Sequence, residues 1–363
     1  MLRHLLFDSS SEDEEPNRWQ VNRRRKIFRP RINFNFQTSV EHTERFRMSA
    51  EKLDLLLNEI GPLLLHNTSK SGALTPKQQL SVALHWLGCG AQYHIVGDAH
   101  GVDKSTVCRT VQRVVNVVNN VLLNRIVRWP ENIPNEIEKF YRIAHFPHVC
   151  GVVDGSLIPI DAPTNNEPAF VDRWGGHSIN CMFVCGATKF FYYVSANCPG
   201  SVHDARVMRN SNLYRRFERQ NIFPNAVILG DSAYPLKQWL MPPRHNNPNN
   251  PLEERYNRRH KGTRQVIEGA LGILKEKFPC LHHLRVEPRY AANIVKCCTT
   301  LCNFARIGVN DDEVEVLNEN NLILQEDENI VLDHPEREVP IRAAILRQEQ
   351  ILNLMNNLTT CRI

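Results

Sequence analysis

The hydrophobic period of this chain changes near His145, and that change constrains the fold more than any other feature. From His145 to Ala196 the apolar residues gather into three strand-like runs, HVCGVVDGSLIPI, INCMFVCGAT and FFYYVSAN. Aliphatic, partly β-branched runs bounded by turn formers are how buried strands read in sequence. Pro199-Gly200 closes the third run, Ser201 is expected to begin a short helix, and AVILGD forms a fourth strand ending at Asp231. The segment from Pro242 to Pro251, PPRHNNPNNP, reads as a loop, and a helix is predicted from about Thr263 to Phe278. Three consecutive strands, a helix, a fourth strand and more helix describe a mixed α/β sheet flanked by helices. In that order the ends of the first and fourth strands come together.

Three acidic residues occupy distinctive places in it. Asp154 ends the run Val152-Val153, Asp231 ends Val227-Ile228-Leu229-Gly230, and Glu268 lies inside the predicted helix. A carboxylate at the end of a buried strand is held at the sheet's edge, where a cation reaches it. On the helix, Arg264, Glu268 and Lys275 share one face, because steps of four and seven nearly superpose at about 100° per residue. Val266, Ile267, Ala270, Leu271, Ile273 and Leu274 supply its packing surface. Taken alone, the same helix reads equally well as amphipathic with ordinary surface ion pairs.

A fourth acid, Asp204, lies in PGSVHDARVMRNSNLY beside His203, which either orients a substrate or is a polar residue at a helix start. Hard cations such as Mg²⁺ or Mn²⁺ take oxygen ligands, and Mg²⁺ keeps several waters, so a few carboxylates suffice. Two such ions roughly 4 Å apart activate the attacking oxygen and stabilise the leaving one during in-line attack on a phosphate. The acids therefore read as a metal-dependent, phosphodiester-cutting site. Asp154, Asp231 and Glu268 are its catalytic candidates, and Asp154, Asp204, Asp231 and Glu268 its candidate metal ligands.

The strings GVVDGSLIPI, GGHSINCMFVCG, PGSVHDARVMRNSNLY, LGDSAYPLKQWLMPP and RQVIEGALGILKEKFP occur in one order. In these the chain resembles the DDE catalytic domain of PIF/Harbinger transposases, and among them the animal harbinger-transposase-derived nucleases. The resemblance covers roughly Asn17 to Gly308. It implies an RNase H-like fold, a triad of Asp154, Asp231 and Glu268, and Asp204 as a further metal ligand. It also implies DNA as substrate and a separate Myb/SANT-like DNA-binding partner protein, with a homodimer as the expectation for an enzyme acting on two DNA ends. Lys261 and Trp174 depart from the pattern, standing where related sequences often carry Tyr and Lys, and both bear on substrate contacts more than on the metal site.

Ahead of the strands the periodicity is helical. Thr75-Pro76-Lys77-Gln78 forms a capping box with Pro at the first helical position, opening QQLSVALHWL, which Gly88 is expected to stop. Two later helical patterns flank His100-Gly101-Val102, and the second starts at Asp103 as N-cap. Val107, Val111, Val114, Val115 and Val118 form its buried stripe. A helix, a tight Gly-containing turn and a helix opening with Lys104, Ser105, Thr106, Arg109 and Arg113 match a helix-turn-helix. The alternative is a helical bundle that packs on the catalytic domain. Arg255, Arg258, Arg259, His260 and Lys261 precede the predicted catalytic helix as a further basic run. With Arg264 and Lys275, the residues Arg258, Arg259 and Lys261 complete the candidate DNA contacts, which add salt-dependent affinity without sequence information.

The organisation expected is therefore a disordered acidic then basic arm (1–35), a helical helix-turn-helix-like domain (36–135), the nuclease domain (145–308) and an acidic tail (309–363) whose end, IRAAILRQEQILNLMNNL, has the spacing of an amphipathic helix. A net charge of +5 with acidic clusters at both ends leaves the interior basic, as a polyanion-binding surface requires. Eleven scattered cysteines without zinc spacing, and no secretory or membrane segment, point to reduced thiols inside the cell. The nucleus is the expected location, with the cytoplasm second. GDSAY lacks the trailing Gly of a nucleophile elbow, Asp154 has no second Asp two positions on as in phosphatases, and the basic arm argues against a glycosidase. The main rival is a domesticated host protein that keeps this fold to bind DNA or a partner without cutting.

Overall fold

The computed structural model describes residues 30–32, 34, 36, 38–66, 72–220, 222–244, 250–308 and 341–360. The helical part comprises α1 (Ser39–Phe46), α2 (Ala50–Leu64), α3 (Pro76–Cys89), α4 (Tyr93–His100), α5 (Lys104–Val121), α6 (Leu123–Ile126) and α7 (Ile133–Ala144). There follow β1 (Val149–Pro159), α8 (Glu167–Phe170), β2 (Ser178–Cys185), β3 (Phe191–Pro199), α9 (Asp204–Asn210), α10 (Asn212–Gln220), β4 (Val227–Leu229), β5 (Leu240–Met241), α11 (Pro251–Lys277), α12 (Pro288–Phe304) and α13 (Ile341–Thr360).

The capping box at α3 forms as its residues dictate: Gln78 N donates to Thr75 Oγ1 at 3.2 Å and Thr75 N to Gln78 Oε1 at 3.1 Å. The helix ends on Gly90 in the left-handed region at φ 63° and not at Gly88. Gly88 lies inside the helix, where its carbonyl accepts from Arg47 Nε at 3.0 Å and a Cβ would come within 2.9 Å of that side chain. Between α4 and α5 the chain turns on Gly101 at φ 65°, and Asp103 caps α5 by accepting from Ser105 N at 2.8 Å. The five valines expected on the buried stripe of α5 are fully buried, each contributing about 2 kcal/mol of apolar burial. Arg31 donates to Gly101 O at 2.7 Å and Gly72 O at 2.9 Å, which ties this part of the expected arm to the turn. The rest of the arm up to residue 29, and the acidic stretch 309–340, lie outside the described residues.

The five strands form one mixed sheet in the order β3-β2-β1-β4-β5. β1, β2 and β3 are antiparallel neighbours, as consecutive strands tend to be, whereas β4 returns after α9 and α10 to lie parallel to β1. β5 was not expected; two residues are too few to show a period, and it is defined by its pairing with β4. Side chains alternate across the sheet. Val152, Phe183 and Leu229 enter one core with Ile267, Ile294 and the helical region's Leu56 and Val111. Val153, Met182 and Ile228 enter a second with Val207, Met208 and Phe217 of α9 and α10. The sheet is thus covered on both faces.

Three boundaries differ from expectation. Asp154 does not end its strand, because β1 continues five residues beyond it and stays paired with β2 through Pro159. α9 begins at Asp204, with Ser201 in the preceding turn. α11 begins at Pro251, capped by Asn250 accepting from Leu252 N at 3.1 Å, so the basic run lies inside the helix that carries Glu268 and not ahead of it. After Pro251 the helix contains no further proline, and its weak helix formers Gly262, Gly269 and Gly272 are tolerated in a packed helix. At the far end, α13 rests on the start of α11: Gln348 donates to Pro242 O and Tyr256 Oη, and Ile351 and Met355 are buried. No helix among the described residues is long and apolar enough to cross a membrane.

Candidate active site

Strand pairing places two of the acids side by side. β4 pairs with β1 only as far as Leu229 opposite Val152, so β1 has an open edge from Val153 onward. Asp154 stands two residues past that last pair and Asp231 two residues past Leu229, level with it. Gly155 N donates to Asp154 Oδ1 at 2.9 Å, and Ala233 N to Asp231 Oδ1 at 2.9 Å, so each carboxylate is anchored by its own turn of backbone. Glu268 is brought over β1 by α11, whose Val266, Ile267, Ala270 and Leu274 are buried while Leu271 and Ile273 are half-buried.

Arg264 joins the strand and the helix. Its guanidinium donates to Asp154 Oδ2 at 3.0 Å and, from its other arm, to Glu268 Oε1 one turn along α11. The sequence placed Arg264 and Glu268 on one face but gave no sign that the arginine reaches Asp154. Among the described residues no three His, Cys, Asp or Glu side chains stand close enough to hold a metal ion together.

Asp204 approaches from the other face. A Cβ at Gly155 would fall 2.5 Å from Asp204 Oδ1, so the missing side chain is what admits this carboxylate against β1. Asn180 of β2 fixes it, donating to Asp204 Oδ1 at 2.8 Å and to Val202 O at 2.8 Å. Asn180 was missed in the sequence, and its signal was a lone amide inside an otherwise apolar strand. His203 occupies the N-cap position of α9 without a side-chain capping bond, and it is exposed.

The electrostatics bind these acids into one group. Burial pushes the Asp154 carboxyl up from 3.8 to about 6; Arg264 opposes this, and Asp231 and then Asp204 add to it. A half-buried carboxylate that holds its proton chiefly because it is desolvated, with two more carboxylates adding to the effect, is a site short of positive charge. The donor set of carboxylate oxygens suits Mg²⁺ or Mn²⁺ by hardness. Asp154, Asp231 and Glu268, with Asp204, are the candidate ligands for such an ion, and Arg264 occupies one oxygen of Asp154 and one of Glu268.

The candidate DNA contacts divide. Lys104, Ser105 and Arg109 are exposed on the first turns of α5, and Thr106 is half-buried. Arg113 is engaged elsewhere, since its guanidinium donates to the carbonyls of Leu63 at 3.2 Å and Leu65 at 2.8 Å and so caps the end of α2. On α11, Arg258 and Lys261 are exposed, while Arg259 donates to His145 O at 3.2 Å. His260 is buried against Phe146 and Tyr256, and burial lowers it to about 4, so it carries no charge for a phosphate. Lys275 is half-buried near Cys181, two turns beyond Glu268, and its charged form is disfavoured by that burial.

Residues 153–303 match a family described as DDE superfamily endonuclease. A human protein named "Putative nuclease HARBI1" is 33% identical over 257 residues, covering 69% of this chain and 73% of the relative. The chain belongs to the Harbinger-type DDE endonuclease family. The frog relative of the same name, from Xenopus laevis, is 30% identical across 70% of this chain and 74% of its own length. Arabidopsis thaliana "Protein ALP1-like" is 25% identical over 72% of this chain and 67% of its own. No solved structure matches the chain. The matched interval opens at Val153, beside Asp154, and closes at Asn303, so it contains all four acids described above.

Proposed function

We propose that this protein is a divalent-metal-dependent DNA endonuclease with an RNase H-like core. The observation that carries this reading is the placement of Asp154 and Asp231 level with each other at the open edge of β1, with Asp204 against Gly155 and Arg264 bridging Asp154 to Glu268. Asp154, Asp231 and Glu268 hold the catalytic cations and Asp204 assists. Mg²⁺ or Mn²⁺ in a pair supplies the Lewis acidity that activates an attacking water and stabilises the leaving oxygen. Arg264 releases Asp154 and turns its guanidinium to a phosphate oxygen, for which its fork is shaped.

The duplex lies along α11, where Arg258 and Lys261 contact backbone phosphates, and α4 with α5 acts as a helix-turn-helix through Lys104, Ser105, Thr106 and Arg109. Sequence recognition is shared with a Myb/SANT-like partner protein, the enzyme acts as a homodimer on two DNA ends, and it works in the nucleus. Cleavage of supercoiled plasmid in Mg²⁺, Mn²⁺ or EDTA, by wild type and by Asp154→Ala, tests the proposal. Nicking that requires metal and disappears in the variant supports it. DNA binding with no nicking in any metal, even with the partner protein added, favours a host protein that keeps the fold without the chemistry.

A further inference from the structure

Between β1 and β2 the chain makes a short hairpin whose tip carries Trp174. Val171 and His177 pair antiparallel across its base. Asp172 N donates to Gly176 O at 2.8 Å, and Gly175 N to Asp172 O at 3.0 Å. The Asp172 carboxylate closes the turn from within, accepting from Trp174 N at 2.9 Å and from Gly176 N at 3.1 Å. Gly175 takes φ 79°, the left-handed conformation that the tip requires. A turn so fully bonded holds its backbone fixed, yet Trp174 is 69% exposed, the highest value among the large apolar residues described. The Arg173 guanidinium lies over one face of the indole, 4.2 Å from the ring centroid. A rigid turn thus holds a large apolar ring out in water with a cation on one side, and the burial forgone in the free protein is recovered by a flat partner.

We infer that Trp174 is a stacking site for an unpaired nucleobase of the DNA being cut: the base lies on the indole face that Arg173 leaves open, and Arg173 meets the neighbouring phosphate. The inference rests on the DNA-cutting reading above. An indole stacks on any base, because every base has a π-face, and an arginine beside it attracts the backbone. Bases inside a duplex have no free face, so the partner is a base taken out of the stack. The hairpin is also tied to the candidate active site. Ser201 N donates to Ala169 O at 3.3 Å, and a Cβ at Gly200 would fall 3.0 Å from Phe170 O. The chain entering the hairpin therefore runs against the turn that leads into Asp204. Trp174 follows Ala169 closely and Asp204 follows Ser201 closely, so the reach of the chain keeps the indole within about 35 Å of Asp204, roughly one helical turn of DNA. A duplex whose cut phosphate sits at the acids brings its flanking bases within that span.

The test measures, by fluorescence anisotropy in EDTA to prevent cutting, how tightly the full chain binds a fully paired duplex and the same duplex with one extra, unpaired base. Wild type, Trp174→Ala and Trp174→Phe are compared. Wild type should bind the duplex with the unpaired base about tenfold more tightly. Trp174→Ala should bind the two equally, and Trp174→Phe, which keeps an aromatic face, should retain most of the preference. A preference that survives in Trp174→Ala overturns the inference, as does a wild type that binds both duplexes equally. Loss of the preference together with a change from dimer to monomer, seen by sedimentation without DNA, assigns the ring to a protein interface and also overturns it. If wild type binds neither duplex, with Mg²⁺ or without, the DNA-cutting reading itself fails and the role of Trp174 fails with it.

Discussion

Asp154→Asn isolates the electrostatic cost of the candidate site. The folded protein keeps the Asp154 proton up to about pH 6, whereas the ordinary value is 3.8. Between those values the folded state holds more protons than the unfolded chain, so stability falls as pH rises through the window and levels off above it. At about 1.4 kcal/mol per pKa unit, the gap corresponds to about 3 kcal/mol of stability withheld at neutral pH. The side chain is 19% exposed, so solvent screening removes little of this. Asparagine has no charge to desolvate and still offers an oxygen to Arg264. Urea unfolding in EDTA at pH 4 and pH 8 should therefore show a variant that matches wild type at the lower pH and exceeds it by about 3 kcal/mol at the higher. A gap between the two proteins that does not change with pH refutes the raised Asp154 pKa and the electrostatic cost argued from it.

Gly155→Ala should displace Asp204 from β1, because its Cβ would fall 2.5 Å from Asp204 Oδ1. Metal-dependent nicking should drop at least tenfold while circular dichroism stays unchanged. Asn303 is buried and bonds both the N–H and C=O of Phe191, with a third bond to Ile126 O, which protects the edge strand β3. Asn303→Ala should cost about 3 kcal/mol in urea unfolding, since it leaves buried backbone groups unpaired. Thr75→Ala removes the cap of α3 and should cost about 1 kcal/mol by the same measurement. Arg258→Ala should weaken DNA binding uniformly across sequences and lower the slope of log affinity against log salt by about 1.

What the sequence revealed and what it hid divide along physical lines. β1 to β4 were legible because each is an apolar run long enough to show itself between turn formers, and the stripe of valines on α5 followed from helical spacing. β5 was not, because Leu240 and Met241 gain strand geometry only from β4. Asp154 was misplaced at a strand end because its aliphatic run Val152-Val153 breaks there, although the strand-like run continues through GSLIP and stays paired with β2. The start of α11 was hidden by its basic composition, which looks like a solvated run, while buried Tyr256 and His260 show that the segment has an inward face. The four acids could be singled out by their positions. Their setting could not: that Arg264 spans Asp154 and Glu268, that Arg113 caps α2, and that Asn180 holds Asp204 all depend on the reach of side chains between elements far apart in sequence.

The central claim is that these acids contact the catalytic metal, and Asp231→Cys tests it most directly. A thiolate is a soft ligand that Mn²⁺ accepts more readily than Mg²⁺. Plasmid nicking by the variant should survive in Mn²⁺ and be lost in Mg²⁺, while wild type works in both. Equal nicking by Asp231→Cys in the two metals would mean that Asp231 is not a ligand, and would contradict the site described above.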